Sequence, residues 1–534
     1  MEVLDTTLRD GAQTTGISLS LEDKIKIALL LDELGVDYIE AGWPASNPKD
    51  SEFFRIIKRY GLSHSKIGAF GSTRKKDAKV HEDENVNAII KADVDVAIIF
   101  GKSWSLHVSE VLRVTKEENI DMIYDTLSYL RSHGIEVIFD AEHFYQGFKE
   151  DPDYALDVVK TAVEARAHCV VLCDTNGGTT PLEVFEITKY VVSRFNTVIG
   201  VHMHNDIGCA VANSLMGVAA GARHVQGTIN GIGERTGNAD LVQILPTLKY
   251  KMGFNVLRNP NGLKMLKEVS KRVYEVLKIK PNPYQPYVGD NAFAHKAGVH
   301  VDAVLKNPKT YEHIDPELVG NTRKFVLSDL SGSSSIVAHL KELNINIDKK
   351  DPRIRSALAK IKELEHNGYS FDTAPASALL VVLRELGHSS NLATSYNWRV
   401  FVDSSGLSVA VVDLGGASAK SITIDAVESM VRAFIEAASR LNTEIAKIRI
   451  TKVNIEKLYN NMFRATIEAS YNGYRWSCQG VSINVFEAVA RGVLDSLDYF
   501  LTMARLRPDL FNSQNQNILN ISSLPMLGVL NHEK

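Results

Sequence analysis

The stretch Ile199-Gly-Val-His-Met-His-Asn-Asp206 decides how the rest of the chain is interpreted. Residues 197–203 are apolar and β-branched, which predicts a buried strand that runs directly into polar residues. Side chains alternate between the two faces of a strand, so His202 and His204 point the same way. Two imidazoles at a strand end are good ligands for a divalent cation, although a bare His-x-His is more often one buried and one surface histidine. The position of this strand within a repeating pattern favours the metal site.

The first half of the chain repeats a strand–helix unit. Segments with helical periodicity, such as residues 21–34 and 120–131, separate short apolar runs. Gly35, Gly134 and Gly221 each follow a helical segment, where a left-handed helix end is expected. About eight such units in ~250 residues predict an α/β fold, the closed (β/α)8 TIM barrel. An open doubly wound sheet is the alternative, but no Gly-x-Gly-x-x-Gly follows the first strand. The predicted strands are residues 3–4, 38–41, 67–70, 94–100, 137–139, 170–173, 198–201 and 225–229.

Polar residues concentrate at the carboxyl ends of these strands, where the active site of a TIM barrel lies. The remainder of each strand is apolar, so surface exposure does not explain the concentration. This clustering, more than the two histidines alone, predicts a metal site at that end of the barrel. Its members are Arg9, Asp10, Glu40, Asp140, Glu142, His143, Asp174, Thr175, Asn176, His202, His204, Asn230, Glu234, Arg235 and Asn238.

Three regions are predicted along the chain: the barrel (residues 1–275), helical linker subdomains that complete the active site (276–390) and a C-terminal α+β domain (391–534). Three prolines within residues 281–286 mark the first boundary. The last region contains strands followed by a helix, twice over, which indicates an internal repeat. Such a layer buries its free face by dimerising. The stretch from residue 512, rich in Asn, Gln and Ser, is expected to be loosely ordered.

The composition excludes several classes of protein. Hydrophobic residues make up 45% and charged residues 23%, as in an ordinary globular protein. The formal net charge of -4, with no long basic run, argues against nucleic acid or a membrane surface as a partner. The four cysteines have no Cys-x-x-Cys spacing, which suits a reducing compartment. No apolar run reaches membrane-spanning length, and Glu2 and Asp5 do not suit a signal peptide, so a cytoplasmic protein is expected.

Several motifs occur together over nearly the whole chain: Asp5-Thr-Thr-Leu-Arg-Asp-Gly11, Glu40-Ala-Gly-Trp-Pro44, Val201-His-Met-His-Asn-Asp206, Asn230-Gly-Ile-Gly-Glu-Arg-Thr-Gly-Asn238 and Gly298-Val-His-Val-Asp-Ala-Val-Leu305. In combination they resemble the pyruvate-carboxyltransferase-like barrel family, and within it the isopropylmalate, homocitrate and citramalate synthases. The motif Phe139-Asp-Ala-Glu-His-Phe-Tyr-Gln-Gly147 is more similar to the citramalate branch than to the isopropylmalate branch.

The resemblance implies an aldol-type condensation of acetyl-CoA with a 2-oxo acid, followed by hydrolysis of the thioester. It also implies one divalent metal ion held by Asp10, His202, His204 and Asn238. A 2-oxo acid chelates such an ion through its ketone and carboxylate oxygens, and the ion polarises the ketone. Mixed nitrogen and oxygen ligands suit Mn²⁺, Mg²⁺, Co²⁺ or Zn²⁺, and the sequence leaves the choice open.

Arg9 and Thr175 are expected to bind the substrate. Arg9 offers five donors and a permanent charge to the oxo-acid carboxylate or to the developing alkoxide. An ion pair with Glu40 or Glu142 is its alternative role. Thr175 is expected to hydrogen-bond the same carboxylate, with strand packing as its alternative.

Glu142 and His300 are both candidates for the general acid and base. In the family, the segment that carries His300 is supplied by the neighbouring subunit. The resemblance therefore implies a homodimer in which His300 and Tyr311 complete the active site of the partner.

Pyruvate is the oxo acid that the resemblance favours, with (R)-citramalate as the product, in isoleucine biosynthesis. The family further implies an end-product amino acid as effector of the C-terminal domain, here isoleucine, with a plain dimerisation module as the alternative. A 2-isopropylmalate synthase acting on 2-oxoisovalerate is the main alternative function, followed by a metal-dependent acyl-CoA lyase. Such lyases resemble this barrel but carry a cysteine in the loop after strand eight, and residues 230–238 contain none.

Overall fold

The computed structural model of the chain describes residues 1–390, 392 and 395–511. It contains two compact units, one formed by Met1–Phe293 with His313–Arg323 and the other by Ala294–Glu312 with Lys324–Lys534. The predicted domain boundaries near residues 275 and 390 stay predictions. The predicted loose order from residue 512 onwards lies outside the described residues.

Eight parallel strands close into a barrel in sequential order, because the first strand pairs with both the second and the eighth. The predicted (β/α)8 fold is confirmed. The eighth strand ends at Gly227 rather than at residue 229, because the chain turns there and Asn230 adopts a left-handed conformation (φ 68°). The strands are β1 (Glu2–Asp5), β2 (Tyr38–Gly42), β3 (Lys66–Ser72), β4 (Val96–Lys102), β5 (Glu136–Glu142), β6 (Cys169–Asp174), β7 (Val198–Met203) and β8 (His224–Gly227).

Helices surround this barrel, and the first shows how the sequence bounds them. Ser20 accepts a hydrogen bond from the Asp23 amide at 3.1 Å, and Gly35 ends the helix in a left-handed conformation (φ 92°). The helices of this unit are α1 (Leu21–Leu34), α2 (Pro48–Ile57), α3 (Glu84–Ala92), α4 (Ser105–His107), α5 (Lys116–Ser132), α6 (Phe144–Glu150), α7 (Pro152–Glu164), α8 (Pro181–Arg194), α9 (Ala210–Ala219), α10 (Leu241–Tyr250) and α11 (Leu266–Leu277).

The barrel has two apolar layers because the side chains of each strand alternate. One set fills the barrel interior, with Leu4, Ile98, Ile138 and Val171 among its buried members. The opposite set packs against the surrounding helices in a larger core. The chemistry of such a barrel is expected at the carboxyl ends of its strands.

The described part of the second unit begins with short elements and ends with two three-stranded antiparallel sheets, each with its strands in sequential order. Each sheet is followed by a helix, so the predicted strand–helix repeat is present. Its elements are β9 (Ala294–His295), α12 (Gly298–Lys306), β10 (Lys324–Phe325), α13 (Ser333–Glu342), α14 (Pro352–His366), α15 (Pro375–Glu385), β11 (Tyr396–Val402), β12 (Ser408–Leu414), β13 (Ala417–Thr423), α16 (Ala426–Leu441), β14 (Arg449–Lys457), β15 (Phe463–Tyr471), β16 (Tyr474–Ser482) and α17 (Val485–Leu506).

One strand of the repeat, β13, has no apolar run in the sequence that would predict it. Its sequence is small and polar, and Ala419 is its only buried residue, so it lacks the alternating apolar pattern of an ordinary strand. It pairs with β12 along its whole length and is the last strand in the sheet order, so it is an edge strand. Among the described residues, none of the helices has the length and apolar character needed to cross a membrane.

Candidate metal centre

Asp10, His202 and His204 converge at the carboxyl end of the barrel, and all three are buried. Asp10 follows β1 in a turn, where its amide donates to the Thr6 carbonyl at 2.9 Å. The two histidine Nε2 atoms are 3.4 Å apart, and they lie 3.4 and 3.8 Å from Oδ2 of Asp10. A point equidistant from these three atoms is about 2.1 Å from each, a typical metal–nitrogen or metal–oxygen bond length. The three side chains can therefore hold one ion.

The charges of the three groups depend on one another. Burial by itself would raise the pKa of Asp10, but Arg9, His202 and His204 together hold that pKa below its ordinary range. Burial acts to lower the pKa of His202, and the hydrogen bond and charge of Asp10 outweigh it, so the pKa is raised. For His204, burial and then the charge of His202 lower the pKa to about 4. A neutral His204 next to an ionised Asp10 is a suitable donor pair for a cation.

Three buried polar atoms around this point have no hydrogen-bond partner among the described residues: Oδ1 of Asp10, Nδ1 of His204 and Oδ1 of Asn238. Asn238 lies opposite His204 in an isolated backbone bridge. Its Nδ2 donates to the Ile232 carbonyl at 3.3 Å, which leaves Oδ1 as the acceptor atom. An amide oxygen without a hydrogen-bond partner is a suitable ligand for a hard cation. The geometry is therefore compatible with Asn238 as the fourth ligand, which stays a prediction.

Arg9 lies beside the three ligands and is held on several sides. Its Nε donates to Glu40 Oε2 at 2.8 Å, and its Nη1 lies 3.2 Å from Asp10 Oδ2. The guanidinium carbon is 3.9 Å from the centre of the Phe70 ring. Burial raises the pKa of Glu40 to about 7, although Arg9 acts in the opposite direction. The alternative ion pair with Glu40 is therefore present, and its rigidity also positions the guanidinium beside the metal ligands.

Glu142 ends β5 and forms an ion pair with Lys102, which ends β4. The two residues are register partners in the parallel pairing of these strands. Lys102 is largely buried, and its ammonium lies 5.3 Å from the centre of the Phe100 ring. The pair places a carboxylate with an adjacent cation at the carboxyl end of the barrel, and the role of Glu142 as general acid or base stays a prediction.

Thr175 follows β6 on the same end of the barrel. Its hydroxyl accepts a hydrogen bond from the His143 amide at 2.9 Å. Its carbonyl accepts from Arg235 Nη2 at 2.8 Å, and Arg235 also pairs with Asp206 at 2.7 Å. Arg235 thus ties the loop after β8 to the ends of β6 and β7.

His300 and Tyr311 belong to the second unit. Their rings stack with centroids 4.1 Å apart at an interplanar angle of 30°. His300 is on α12, and both side chains are exposed. The participation of these two side chains in an active site stays a prediction.

The predicted cluster contains Asp140, without a role for it, and leaves out Lys102 and Gln226, which the structure places beside Glu142 and beside His202. Gln226 Oε1 is 2.8 Å from His202 Nδ1, and Gln226 Nε2 donates to Asp140 Oδ1 at 2.8 Å. Burial raises the pKa of Asp140. The signal in the sequence was the position of each residue: Lys102 is the last residue of β4, whereas Asp140 and Gln226 lie near the carboxyl ends of β5 and β8.

Comparison with known proteins agrees with this barrel. The HMGL-like family model matches residues 1–273, and the model described as homocitrate synthase post-HMGL domain-like matches residues 287–369. The (R)-citramalate synthase of Sulfolobus acidocaldarius is 56% identical over 95% of this chain and 98% of that protein. The (R)-citramalate synthase of Aquifex aeolicus is 47% identical over 93% of this chain and 97% of that protein.

The 2-isopropylmalate synthase of Sulfolobus acidocaldarius is 38% identical over 71% of this chain and 95% of that protein. This relative therefore matches a smaller part of the chain, at a lower identity, than the citramalate synthases do. Similarity to the latter extends over almost the whole chain. The chain therefore belongs to the HMGL-like family and, within it, to the (R)-citramalate synthases.

Proposed function

We propose that the chain condenses acetyl-CoA with pyruvate to form (R)-citramalate and CoA, in isoleucine biosynthesis. The observation that carries the proposal is the triangle of Asp10 Oδ2 and the two histidine Nε2 atoms beside Arg9. A cation site next to a buried guanidinium suits a substrate with adjacent ketone and carboxylate groups. Relatives named (R)-citramalate synthase over nearly the full length support pyruvate as that substrate.

Asp10, His202 and His204 would hold one divalent ion, Mn²⁺, Mg²⁺, Co²⁺ or Zn²⁺, with Asn238 as a fourth ligand. The unpartnered oxygens of Asp10 and Asn238 support this assignment. When bound, the ion supplies a Lewis acid for the ketone oxygen of the oxo acid.

The protein's own side chains bind the substrate and move the protons. Arg9 binds the carboxylate of pyruvate or stabilises the alkoxide that forms from its ketone. The Thr175 hydroxyl oxygen accepts a hydrogen bond from the His143 amide, which leaves the hydroxyl hydrogen available. Thr175 donates this hydrogen to the same carboxylate. Glu142, held by Lys102, and His300 are the two candidates for the base, with Tyr311 near His300 for substrate binding.

The base removes a proton from the methyl group of acetyl-CoA, and the resulting carbanion forms a carbon–carbon bond to the ketone carbon of pyruvate. The ketone oxygen becomes an alkoxide and takes up a proton. Water then hydrolyses the thioester, and CoA leaves as the free thiol. Removal of the methyl proton is the difficult step, which requires a base together with stabilisation of the enolate charge.

Release of free thiol from acetyl-CoA upon addition of single 2-oxo acids tests the function. Pyruvate should give the highest kcat/KM. 2-Oxobutyrate should react more slowly but measurably, since a hydrophobic pocket discriminates one methylene by only roughly 10- to 200-fold. A higher kcat/KM with 2-oxoisovalerate than with pyruvate would contradict the proposal and indicate a 2-isopropylmalate synthase.

We further propose that isoleucine inhibits the enzyme through the C-terminal repeat. A cavity of about 590 Å³ lies between α16 of the first half and β14 of the second. Val427, Val431 and Ile435 line one side of it, and Ile450 and Val453 line the other. Asp425, Glu428, Arg432 and Lys452 provide both signs of charge at the same cavity, which suits a zwitterion with a branched apolar side chain.

The glycines of the repeat have local structural roles. Gly415 and Gly416 have positive φ values of 51° and 87° in the turn between β12 and β13, and Gly473 has φ 86° in the turn between β15 and β16. A Cβ atom at Gly480 would lie 2.1 Å from the Ala488 carbonyl, so this glycine permits close packing of β16 on α17. These glycines therefore serve the turns and the helix packing of the repeat.

We propose a homodimer, which would bury the outer face of the β11–β13 sheet. Phe401 and Ile422 flank Val409 across neighbouring strands on that face, and both are more than half exposed. An exposed apolar row of this kind is typical of an interface between subunits. The mass in solution, measured by light scattering, tests the assembly, and Phe401→Glu should shift a dimer towards the monomer.

A further inference from the structure

A buried glutamine lies behind one of the metal-ligating histidines. Gln226 occupies an inward position of β8 and is fully buried. Its Oε1 is 2.8 Å from Nδ1 of His202 on β7, and its Nε2 donates to Oδ1 of Asp140 on β5 at 2.8 Å. The strands β5 and β8 are not neighbours in the barrel. Two hydrogen bonds therefore cross the barrel interior and end at the metal ligand.

This chain of hydrogen bonds has a direction. A carboxylate only accepts hydrogen bonds, so Asp140 requires the amino group of Gln226 to face it. The carbonyl oxygen of Gln226 then faces His202, and since that oxygen only accepts, Nδ1 of His202 must carry the hydrogen. In a neutral imidazole this leaves the lone pair on Nε2, the atom that lies 3.4 Å from both Asp10 Oδ2 and His204 Nε2.

The opposite orientation is disfavoured at both ends. A reversed amide would bring its oxygen against the Asp140 carboxylate and its amino group against His202 Nδ1. His202 would then carry its hydrogen on Nε2, where it would block the cation. His204 has no equivalent, because its Nδ1 has no hydrogen-bond partner in the described part of the chain.

We propose that Asp140 and Gln226 are positioning residues that set the tautomer and the ring orientation of His202 for the metal ion. This inference rests on the proposed divalent-metal site. Outer hydrogen bonds of this kind commonly change metal affinity by roughly 10- to 100-fold.

Mn²⁺ binding to the full-length, metal-free protein, measured by calorimetry, tests the proposal without recourse to activity. Gln226→Met replaces the amide with an unbranched apolar chain of similar length and should weaken the Mn²⁺ Kd by roughly 10- to 100-fold. Gln226→Leu repeats the comparison with a different shape, which exposes a packing defect particular to one variant. Gln479→Met is the matched control, because this glutamine is also fully buried and hydrogen-bonded at both ends but lies in the second unit. The Kd of this variant for Mn²⁺ should equal that of the wild type.

A double-mutant comparison separates two effects of Asp140 on His202. One is the chain of hydrogen bonds through Gln226, here called the relay, and the other is the charge of Asp140 itself. Asp140→Asn removes the carboxylate that orients Gln226, so it should weaken the Mn²⁺ Kd more in the wild-type background than in the Q226M background. Equal factors in both backgrounds would mean that Asp140 acts through its charge alone and would overturn the relay. A wild-type Kd in both folded Gln226 variants would overturn it as well. If the wild type itself bound no Mn²⁺, the proposed metal site would fail together with the relay, so the two failures are distinguishable.

Discussion

At the scale of single residues, the active end of the barrel depends on buried charges that hold one another in place. The Arg9 guanidinium contacts Glu40, Asp10 and the face of Phe70 at once, which restricts it to one orientation. A buried guanidinium with two carboxylate neighbours keeps its charge and its geometry without a substrate. Such preorganisation is what makes a charged group effective when charge develops in a transition state.

Arg9→Lys keeps the charge but loses the planar fork, so kcat/KM with pyruvate should fall roughly 10²- to 10³-fold. Thiol-release kinetics measure the effect. Arg258→Lys is the control, because Arg258 pairs with Asp37 at 2.8 Å at the amino end of β2, and it should leave kcat/KM unchanged. Wild-type kinetics in Arg9→Lys would mean that Arg9 serves only as the partner of Glu40.

His204→Ala removes one corner of the triangle and should strongly reduce both activity and bound metal. A bound ion supplies several kcal/mol of transition-state stabilisation, so kcat should drop by roughly 10²-fold or more. Bound metal is quantified by mass spectrometry on the purified protein. His168→Ala, at the amino end of β6, is expected to retain the metal. Stoichiometric metal in the double variant H202A/H204A would refute the ligand assignment.

At the scale of elements, the barrel closes where β1 pairs with β8, and charged side chains support that closure at the amino ends of the strands. Glu2 at the start of β1 lies 2.9 Å from His168 Nε2 and 3.2 Å from His224 Nδ1. Burial acts to raise the pKa of Glu2, but the two histidines outweigh it and lower that pKa. The hydrogen bond to Glu2 is the main reason that the pKa of His168 is raised.

The stability contributed by these groups should therefore depend on pH. The lowered pKa of Glu2 contributes stability above its ordinary value of 4.5, which is lost as the pH falls. The raised pKa of His168 contributes stability below its ordinary value of 6.5, which is lost as the pH rises through the folded value. Glu2→Gln should therefore lower the free energy of unfolding most between about pH 5 and 6.5, by up to roughly 1 kcal/mol, because the groups are only half-buried.

Denaturant unfolding from pH 4.5 to 9 measures this dependence. The difference between Glu2→Gln and the wild type should shrink towards both ends of the range. Glu186→Gln, an exposed position on α8, should show no such maximum. A difference that stays constant with pH would assign the role of Glu2 to packing instead of charge.

At the scale of the whole molecule, the C-terminal repeat shares its hydrophobic core with the helices that precede it. One core cluster includes Ile336 of α13, Leu380 of α15, Phe434 of α16 and Leu497 of α17. The Gln479 amide on β16 donates to the Ser377 hydroxyl of α15 at 2.9 Å. Truncation near Ser390 would therefore expose the apolar faces of α13 and α15. A point variant in the cavity between α16 and β14 is the cleaner test of regulation.

Val427→Trp should fill part of that cavity and relieve inhibition by isoleucine, while the basal kcat stays unchanged. In the wild type, isoleucine should change the apparent substrate affinity by roughly 5- to 150-fold, and leucine should act more weakly. Both amino acids are titrated in the thiol-release assay. Val402→Trp, an exposed position on β11, is the control. Insensitivity of the wild type to both amino acids would leave the repeat with a purely structural role.

The sequence by itself determined the barrel and three corners of the candidate site. Each strand carries its own apolar run, and strand alternation places His202 and His204 on one face without any knowledge of distant residues. Helix α1 was bounded by signals within its own ends, Ser20 and Gly35. Such information is local, so a single sequence contains it. The edge strand β13 could not be predicted, because its extended conformation depends on pairing with β12 and not on its own composition.

Only the tertiary structure decided which polar residues meet. Asp140 and Gln226 are 86 positions apart in the sequence, and their hydrogen bond exists because closure of the barrel brings β5 and β8 to face one another across its interior. The pairing of Lys102 with Glu142 likewise depends on the register between β4 and β5. Register and closure are set by the packing of all eight strands together, and no local pattern of residues encodes them.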